Sequence, residues 1–492
     1  MTRETYLGID LGTSGVKAAL IDPTGTVLAE AHQPLSVSRP HPGWSEQAPE
    51  DWWQATLAAL DALAAKAPKD MAALRGLGLS GQMHGAVLLD AADAVLRPAI
   101  LWNDMRAAEE CAALETDAPD LHAITGNLAM PGFTAPKLLW VARHEPAIFE
   151  KVAKVLLPKD YLRLRLTGEH ISEMSDAAGT LWLDVGRRDW SDTILAATGL
   201  ARNHMPALVE GTAVAGALRT ELRARWGISS PVPVAGGGGD NAASACGIGA
   251  ITPGKGFVSL GTSGVLFVAD DRFSPNTAGA VHSFCHALPG MWHQMGVILS
   301  ASDSLNWIAN LVGRDVVELT GSVARGYRGP GEEIFLPYLS GERTPHNDAT
   351  ARGSFTGLSH LSTAESMTQA VMEGVAFAFR DCQRVLAEAG TRVDQLIAVG
   401  GGSRSRLWLE MIATNLDTEI RLPEAGDYGA AFGAARLGLC AATNAAPSEI
   451  CTAPAIAERI APRADLRVAF DAQYARYRAL HPAIRDARKS GG

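Results

Sequence analysis

Basic residues are the first shortage in this chain: 43 lysines and arginines face 53 aspartates and glutamates, leaving a formal net charge of −10. No basic run stands out, which argues against nucleic acid or an anionic membrane surface as partner. Cysteine is scarce as well. The six, at positions 111, 246, 285, 382, 440 and 451, form no Cys-x-x-Cys pair. Scattered thiols argue against a disulfide frame or a zinc site and for a reducing, cytoplasmic setting. No apolar run approaches the ~18 residues needed to span a bilayer. The first five residues lead into a strand without the apolar core of a signal peptide. A low-complexity linker is missing too. So are the Walker A loop and the Gly-x-Gly-x-x-Gly dinucleotide fingerprint. What is left, 492 residues with 47% hydrophobic and 20% charged composition, is a globular chain long enough for roughly two or three domains.

The strongest positive signal is a repeated hexamer. Leu11-Gly12-Thr13-Ser14-Gly15-Val16 recurs as Leu260-Gly261-Thr262-Ser263-Gly264-Val265, each copy after a short apolar stretch. Both copies predict a strand entering a Gly-hydroxyl turn, which offers backbone N–H groups and hydroxyls to an anion. Asp10 precedes the first copy and Ser259 the second, so one turn carries a carboxylate and the other does not. Two such turns, one armed, predict a nucleotide gripped between two related halves.

The remaining pattern alternates strands and helices. A hairpin is expected over 6–21 and 26–33 around Asp22-Pro23-Thr24-Gly25, a helix over 49–66, and a buried strand over 76–80. Strand-like runs follow at 86–90 and 95–102, and helices are predicted at 104–115, 135–144, 159–166 and 216–226. The second half begins near Ala235. It predicts a strand-turn-strand at 256–269, helices at 302–312 and 363–389, a strand at 395–400, a helix over 404–416 and a terminal helix over 465–488. This order implies α/β architecture in two lobes that share a ligand between them.

Four sets of residues carry chemistry. Asp10, at the end of the first strand with Gly12, Thr13 and Ser14 beside it and Lys17 one turn on, suits a Mg²⁺ held through water next to nucleotide phosphates. Gly236 to Gly239 precede Asp240 and Asn241; a run of four glycines implies unusual dihedrals or close ligand approach. Asp240 reads equally as a helix N-cap or as the base that deprotonates an attacking hydroxyl. Gly400, Gly401, Gly402 and Ser403 form a third Gly-rich turn between strand and helix. Gln82, Met83, His84, Trp102, Asn103, Asp104 and Arg106 gather hydrogen-bonding groups and an indole that suit a polyhydroxylated ligand.

Together these residues resemble the FGGY carbohydrate kinases of the actin-like ATPase superfamily, from about residue 6 to residue 440. Asp10 to Ser14 look like the family's first phosphate motif, Leu260 to Ser263 like the second, and Gly400 to Ser403 like the adenosine motif. Gly132 to Trp140 is similar to one family signature. Gly353 to Leu358 continuing through Ala370 to Glu373 is similar to the other, with Ser366 standing where the family usually has an acid, amide or histidine. Ser80-Gly81-Gln82-Met83-His84-Gly85, Leu101 to Arg106 and Leu336 to Pro345 look like the xylulokinase branch, whereas glycerol kinases carry an Arg-Glu pair in the sugar loop. The resemblance implies two actin-like (ribonuclease H-like) lobes, divided at 1–245 and 246–492, with the active site in the cleft between them. It implies ATP and Mg²⁺ as cofactors, Asp240 as catalytic base, and Met83, His84, Trp102 and Asn241 at the sugar. It implies Asp10, Gly12, Thr13, Ser14, Lys17, Gly261, Thr262 and Gly400 to Ser403 at the nucleotide. D-xylulose is the implied acceptor; kinases for ribulose, sedoheptulose or arabinitol, and a non-kinase actin-like ATPase, are the alternatives. A cytoplasmic enzyme follows, with a homodimer left open.

Overall fold

The structure, a computed structural model, describes residues 3–424 and 428–490. Two sheets of similar topology organise it. The first is built from β1 (Thr5–Leu11), β2 (Gly15–Ile21), β3 (Val27–Pro34), β4 (Leu74–Gly81), β5 (Val214–Ala217), β6 (Pro233–Ala235) and β7 (Gly238–Gly239). Its order is β5-β6-β4-β1-β2-β3, with β7 pairing β4. β1, β2 and β3 run antiparallel, while β1, β4 and β6 are parallel.

The second sheet uses β8 (Lys255–Leu260), β9 (Gly264–Asp270), β10 (His282–Cys285), β11 (Trp292–Ile298), β12 (Gln395–Val399), β13 (Ile420–Pro423) and β14 (Ile456–Ile460). Its order, β10-β11-β9-β8-β12-β13-β14, again places antiparallel strands on one side of the first strand and parallel ones on the other, closed by an antiparallel edge strand, β14 here and β5 in the first sheet. The repeated hexamer occupies the same turn in each sheet, between β1 and β2 and between β8 and β9. The duplication read from the sequence is therefore a duplication of fold, and the expected two-lobed α/β architecture is present.

The principal helices are α1 (Pro49–Lys66), α2 (Thr134–His144), α3 (Pro158–Thr167), α4 (Met174–Ala178), α5 (Asp240–Ile248), α6 (Ser302–Val312), α7 (Ala364–Glu388), α8 (Arg406–Leu416), α9 (Ala430–Thr443) and α10 (Arg467–Ser490). Most lie where the periodicity put them. The stretch 216–226 does not: Val214–Ala217 is a strand paired with Pro233–Ala235, and only Thr220–Arg225 is helical. Of 95–102, only Ala99–Ile100 forms a strand.

Sequence reading missed α9. It is buried along its length from Ala430 to Cys440, so it has no polar face and no amphipathic period to detect. It packs on the first sheet although it comes from the second half of the chain. Small residues allow the approach: a Cβ on Gly8 would lie 1.8 Å from the Ala431 carbonyl oxygen, and one on Gly78 1.9 Å from that of Ala434. On its other side Gly433 meets α5, where a Cβ would sit 1.7 Å from the Ala243 carbonyl oxygen.

Ser366, the departure from the family signature, has a local role. It is the third residue of α7 and completes a capping box: its N–H donates to Thr363 Oγ1 at 3.2 Å, and its Oγ accepts from the Thr363 N–H at 3.0 Å.

Candidate active site

The parallel strands of the first sheet end side by side. Asp10 is level with Ser80, Leu11 with Gly81, Ser80 with Gly238 and Gly81 with Gly239. The carboxyl ends of adjacent parallel strands form the usual crevice for a ligand in an α/β fold. Asp10, the Gln82–His84 loop and Asp240 are thus delivered to one edge from three distant parts of the chain. Lys17 is not one helical turn on from Asp10. It lies on β2 directly across from Asp10, so the two side chains share a face, and its ammonium also reaches Glu30 at 3.2 Å.

Asp240 opens α5 as its first helical residue; the cap is Gly239, so the capping reading of Asp240 falls away. Asp240 Oδ1 accepts from the Asn241 N–H at 2.7 Å and from Asn241 Nδ2 at 2.9 Å. Burial raises the Asp240 carboxyl above its ordinary value, against these two hydrogen bonds that favour the charged form.

The four-glycine run that presents Asp240 is clamped from behind. Gly237 has a φ of 77°, and a Cβ there would lie 2.0 Å from the Leu79 carbonyl oxygen. Arg163 donates to the carbonyls of Ala235 and Gly236, both at 2.6 Å. Ser175 Oγ accepts from the Gly239 N–H at 3.0 Å and donates to Glu173 at 2.8 Å. Lys159, wholly buried, sits 2.7 Å from Asp160, 3.2 Å from Asp176 and 3.4 Å from Glu173. Burial opposes its charge, but the carboxylates outweigh it and raise the ammonium above the ordinary lysine range. This buried network escaped the sequence reading. Its only trace is ionisable residues at positions that the apolar pattern of 155–180 would otherwise fill.

On the other side of Asp240, Met83 is buried against the glycine backbone: a Cβ on Gly239 would lie 3.0 Å from its Sδ. His84 is held in the left-handed region, φ 69°. Its carbonyl accepts from Lys137 Nζ at 2.8 Å and Thr134 Oγ1 at 3.1 Å, which gives the first family signature a physical task. The His84 ring pairs Nδ1 with the Gly179 carbonyl at 2.6 Å, and burial takes it down to about 3. A neutral imidazole donating from Nδ1 leaves Nε2 as an acceptor. Gly179 is required here, since a Cβ would lie 2.7 Å from the His84 ring.

Trp102 and Thr13 join the two sides. Trp102 Nε1 donates to Thr13 Oγ1 at 2.9 Å, and Thr13 Oγ1 donates to Gln82 Oε1 at 2.8 Å. Gln82 continues to Gln47 at 3.0 Å, and Gln47 returns to the Thr13 carbonyl at 2.8 Å. Gln47 was not anticipated. Asp104 and Arg106 instead bond each other at 2.7 Å, and Asp104 receives the Ser45 N–H at 2.6 Å. Those two brace the loop. Ser14 is exposed, with its carbonyl taken by the Leu35 N–H at 2.9 Å.

Gly261, Thr262 and the Gly400–Ser403 turn gather at the second sheet. β8 and β12 are parallel, with Ser259 level with Val399, so both turns leave the same edge. Gly400 has a φ of 86°, and a Cβ on it would lie 2.9 Å from the Leu260 backbone. Ser403 Oγ donates to the Gly400 carbonyl at 2.7 Å, closing the turn on itself.

Comparison with known proteins agrees with this arrangement. The N-terminal domain model of the FGGY family of carbohydrate kinases matches residues 5–247, and the C-terminal domain model matches residues 256–442. The chain is 52% identical over 438 residues to the xylulose kinase of Escherichia coli K12, covering 89% of this chain and 90% of that protein. It is 39% identical over 434 residues to the xylulose kinase of Bacillus subtilis 168, covering 88% and 87%. A solved structure described as a xyloylose kinase from Brucella ovis superposes with a TM-score of 0.97 at 59% identity, covering 98% of this chain and all of the other (100%). The chain belongs to the FGGY family of carbohydrate kinases.

Proposed function

We propose that the chain transfers the γ-phosphoryl group of ATP to the terminal hydroxyl of D-xylulose, giving D-xylulose 5-phosphate and ADP. The observation that carries this reading is Asp240: a carboxylate at the carboxyl edge of the first sheet, backed by a rigid glycine segment and flanked by Met83 and His84. Asp240 accepts the hydroxyl proton as the oxygen attacks the γ-phosphorus and the bond to the ADP oxygen breaks. Its carboxyl, raised by burial, is a better proton acceptor than that of an exposed aspartate.

Met83 offers an apolar contact, and His84 Nε2, Asn241 and the exposed Trp102 indole offer hydrogen bonds and a stacking face to the ketose. Gly12, Thr13 and Ser14 on one lobe and Gly261 and Thr262 on the other take the phosphates, Lys17 adds a positive charge beside Asp10, and Gly400 to Ser403 take the adenosine. The division at 1–245 and 246–492 falls inside α5, with every strand of the first sheet before it and every strand of the second after it.

Magnesium, when bound, offsets phosphate charge. The residues fit a hard cation that keeps most of its waters: Asp10 is the one carboxylate of the phosphate turn, and no cluster of three His, Cys, Asp or Glu able to hold a metal lies among the described residues. Asp10 would hold the ion through water. No helix of the described residues is long and apolar enough to cross a membrane. All six cysteines are free and buried, which supports a cytoplasmic setting.

ADP release measured with D-xylulose, ribulose, sedoheptulose and arabinitol tests the reading. D-xylulose should give the highest kcat/KM. Turnover independent of sugar, or a clear preference for another acceptor, would overturn it.

A further inference from the structure

The segment Leu336 to Pro345 has no part in the reaction proposed above, yet it places an arginine against His282, whose ring meets the Phe133 that packs on His84. Glu342 Oε1 accepts from the Leu299 N–H at 3.0 Å and from the Arg343 N–H at 2.8 Å. Thr344 Oγ1 accepts from the Val297 N–H at 3.0 Å and donates to the Ala280 carbonyl at 3.0 Å. These bonds fix both neighbours of Arg343 to the end of β11, next to the strand that leaves the second phosphate turn: Ile298 is paired with Gly264.

The Arg343 side chain itself is half-buried, and among the described residues no carboxylate forms an ion pair with it. Its recorded hydrogen bond runs from Nη1 to His282 Nε2 at 3.3 Å. His282 Nδ1 lies 3.1 Å from Asn127 Oδ1, so the neutral ring donates from Nδ1 and accepts at Nε2. Asn127 belongs to the first half of the chain, so this relay links the lobes. The His282 ring stacks on Phe284 at 5.5 Å and meets Phe133 edge-on at 5.6 Å, and Phe133 meets His84 edge-on at 4.6 Å. Burial lowers both His84 and His282, and the Arg343 charge adds to that lowering in each. A guanidinium carries five donors. Burial disfavours this charge and the neighbouring Glu342 offsets part of that, while His282 takes one donor and leaves the others for a further acceptor.

We propose that Arg343, from the second lobe, donates to oxygen atoms of the ketose across the ring wall of His84, Phe133 and His282, so that the acceptor is gripped from both lobes. This rests on the reading of the Met83–His84 side as the sugar pocket. It makes Arg343 a specificity residue for the acceptor, and His282 the residue that orients it.

Steady-state kinetics of Arg343→Gln, Arg343→Lys and His282→Gln against the parent enzyme test it. The expected result is a rise of about tenfold or more in KM for D-xylulose in Arg343→Gln, a smaller rise in Arg343→Lys, an intermediate one in His282→Gln, and an unchanged KM for ATP. Equal KM values for D-xylulose in the parent and Arg343→Gln would overturn the proposal. A fall in kcat with KM for D-xylulose unchanged would also overturn it, in favour of contact with the transferred phosphoryl group. A measurement on the parent alone guards against misfolded variants: D-xylulose without ATP should protect Arg343 from phenylglyoxal, read by mass spectrometry, and modification at an unchanged rate would overturn the proposal. Absence of ADP release with any ketose in the parent would identify the underlying ketose reading as the fault.

Discussion

Trp102 Nε1 and Thr13 Oγ1 lie 2.9 Å apart, one on the loop proposed to stack on the sugar, the other in the turn proposed to hold a phosphate. The Thr13 hydroxyl spends its single proton on Gln82, so it can receive the indole N–H only as an acceptor. The Trp102 loop, the Thr13 turn and the Gln82 loop are therefore one hydrogen-bonded unit.

That linkage is measurable. Thr13→Val and Trp102→Phe should each raise the KM for D-xylulose and for ATP, and a double-mutant cycle should show a coupling of about 0.5–1.5 kcal/mol, the net worth of one hydrogen bond. Strict additivity of the two substitutions in kcat/KM would show that the bond does not serve catalysis.

Asp240→Ala should cost about 10²–10⁴-fold or more in kcat through loss of the general base while ATP binding survives. The pH profile carries the finer test. Burial raises the Asp240 carboxyl, so the acid limb of kcat/KM should sit above the ordinary aspartate range, with activity lost as pH falls through it. Asn241 Nδ2 bonds the charged form, which lowers the pKa; Asn241→Ala removes that bond, so the limb should move to higher pH. A limb that stays in place would separate Asp240 from the proton transfer.

His84 should contribute no inflection between pH 5 and 8. Its ring is down at about 3 and remains neutral throughout that range. Nitrogen-detected NMR of the imidazole should show one unchanging neutral tautomer protonated at Nδ1, and a titration near pH 6 would contradict the burial that lowers the ring against the hydrogen bond to Gly179.

Ser175→Ala leaves the Gly239 N–H without its partner directly before Asp240. An unsatisfied buried donor costs about 1–3 kcal/mol, so chemical denaturation should show a loss of that size. Because the displaced segment carries the base, kcat should fall more than the KM for ATP changes. Ser175→Thr keeps the hydroxyl and should recover part of both.

Gly78→Ala tests the helix that sequence reading missed. The added methyl would lie 1.9 Å from the Ala434 carbonyl oxygen, which is backbone and cannot rotate away. Overpacking of this kind costs about 1–3 kcal/mol or more. A melting temperature equal to the parent's would mean that α9 does not lie on this sheet as described.

Much of the candidate site was legible as local structure because it is written in short strings: Asp10 to Ser14, Gly236 to Asn241 and Gly400 to Ser403 each mark a strand end and a turn by composition alone. Gln47, Ser175 and the Lys159 cluster were not legible. Each acts through partners far away in the chain, such as Ser175 to Gly239, and isolated polar residues carry no local signal of what they will face. Arg343 lay inside a motif that was noticed, but its proximity to His84 depends on the packing of two lobes.

The repeated hexamer marks the boundary between the two kinds of information. Sequence alone determined that both copies become strand-turn-strand, because the glycines, hydroxyls and flanking β-formers are the same in each. It did not determine the turn. In the first copy Leu11 pairs with Val16, and the Gly12 N–H closes the loop on the Gly15 carbonyl at 2.9 Å. In the second, Leu260 pairs with Gly264, one residue earlier. There the carbonyls of Gly261 and Thr262 are taken by the N–H groups of Ser302 and Ala301 at the start of α6, at 2.9 and 2.8 Å. A one-residue slip turns side chains to the opposite face. Val16 is accordingly fully buried, whereas Val265 is partly exposed and Leu266 takes the buried position. Identical residues were given different registers by what packs against them: the turn's own backbone in one lobe, and the orphan donors of a helix N-terminus in the other.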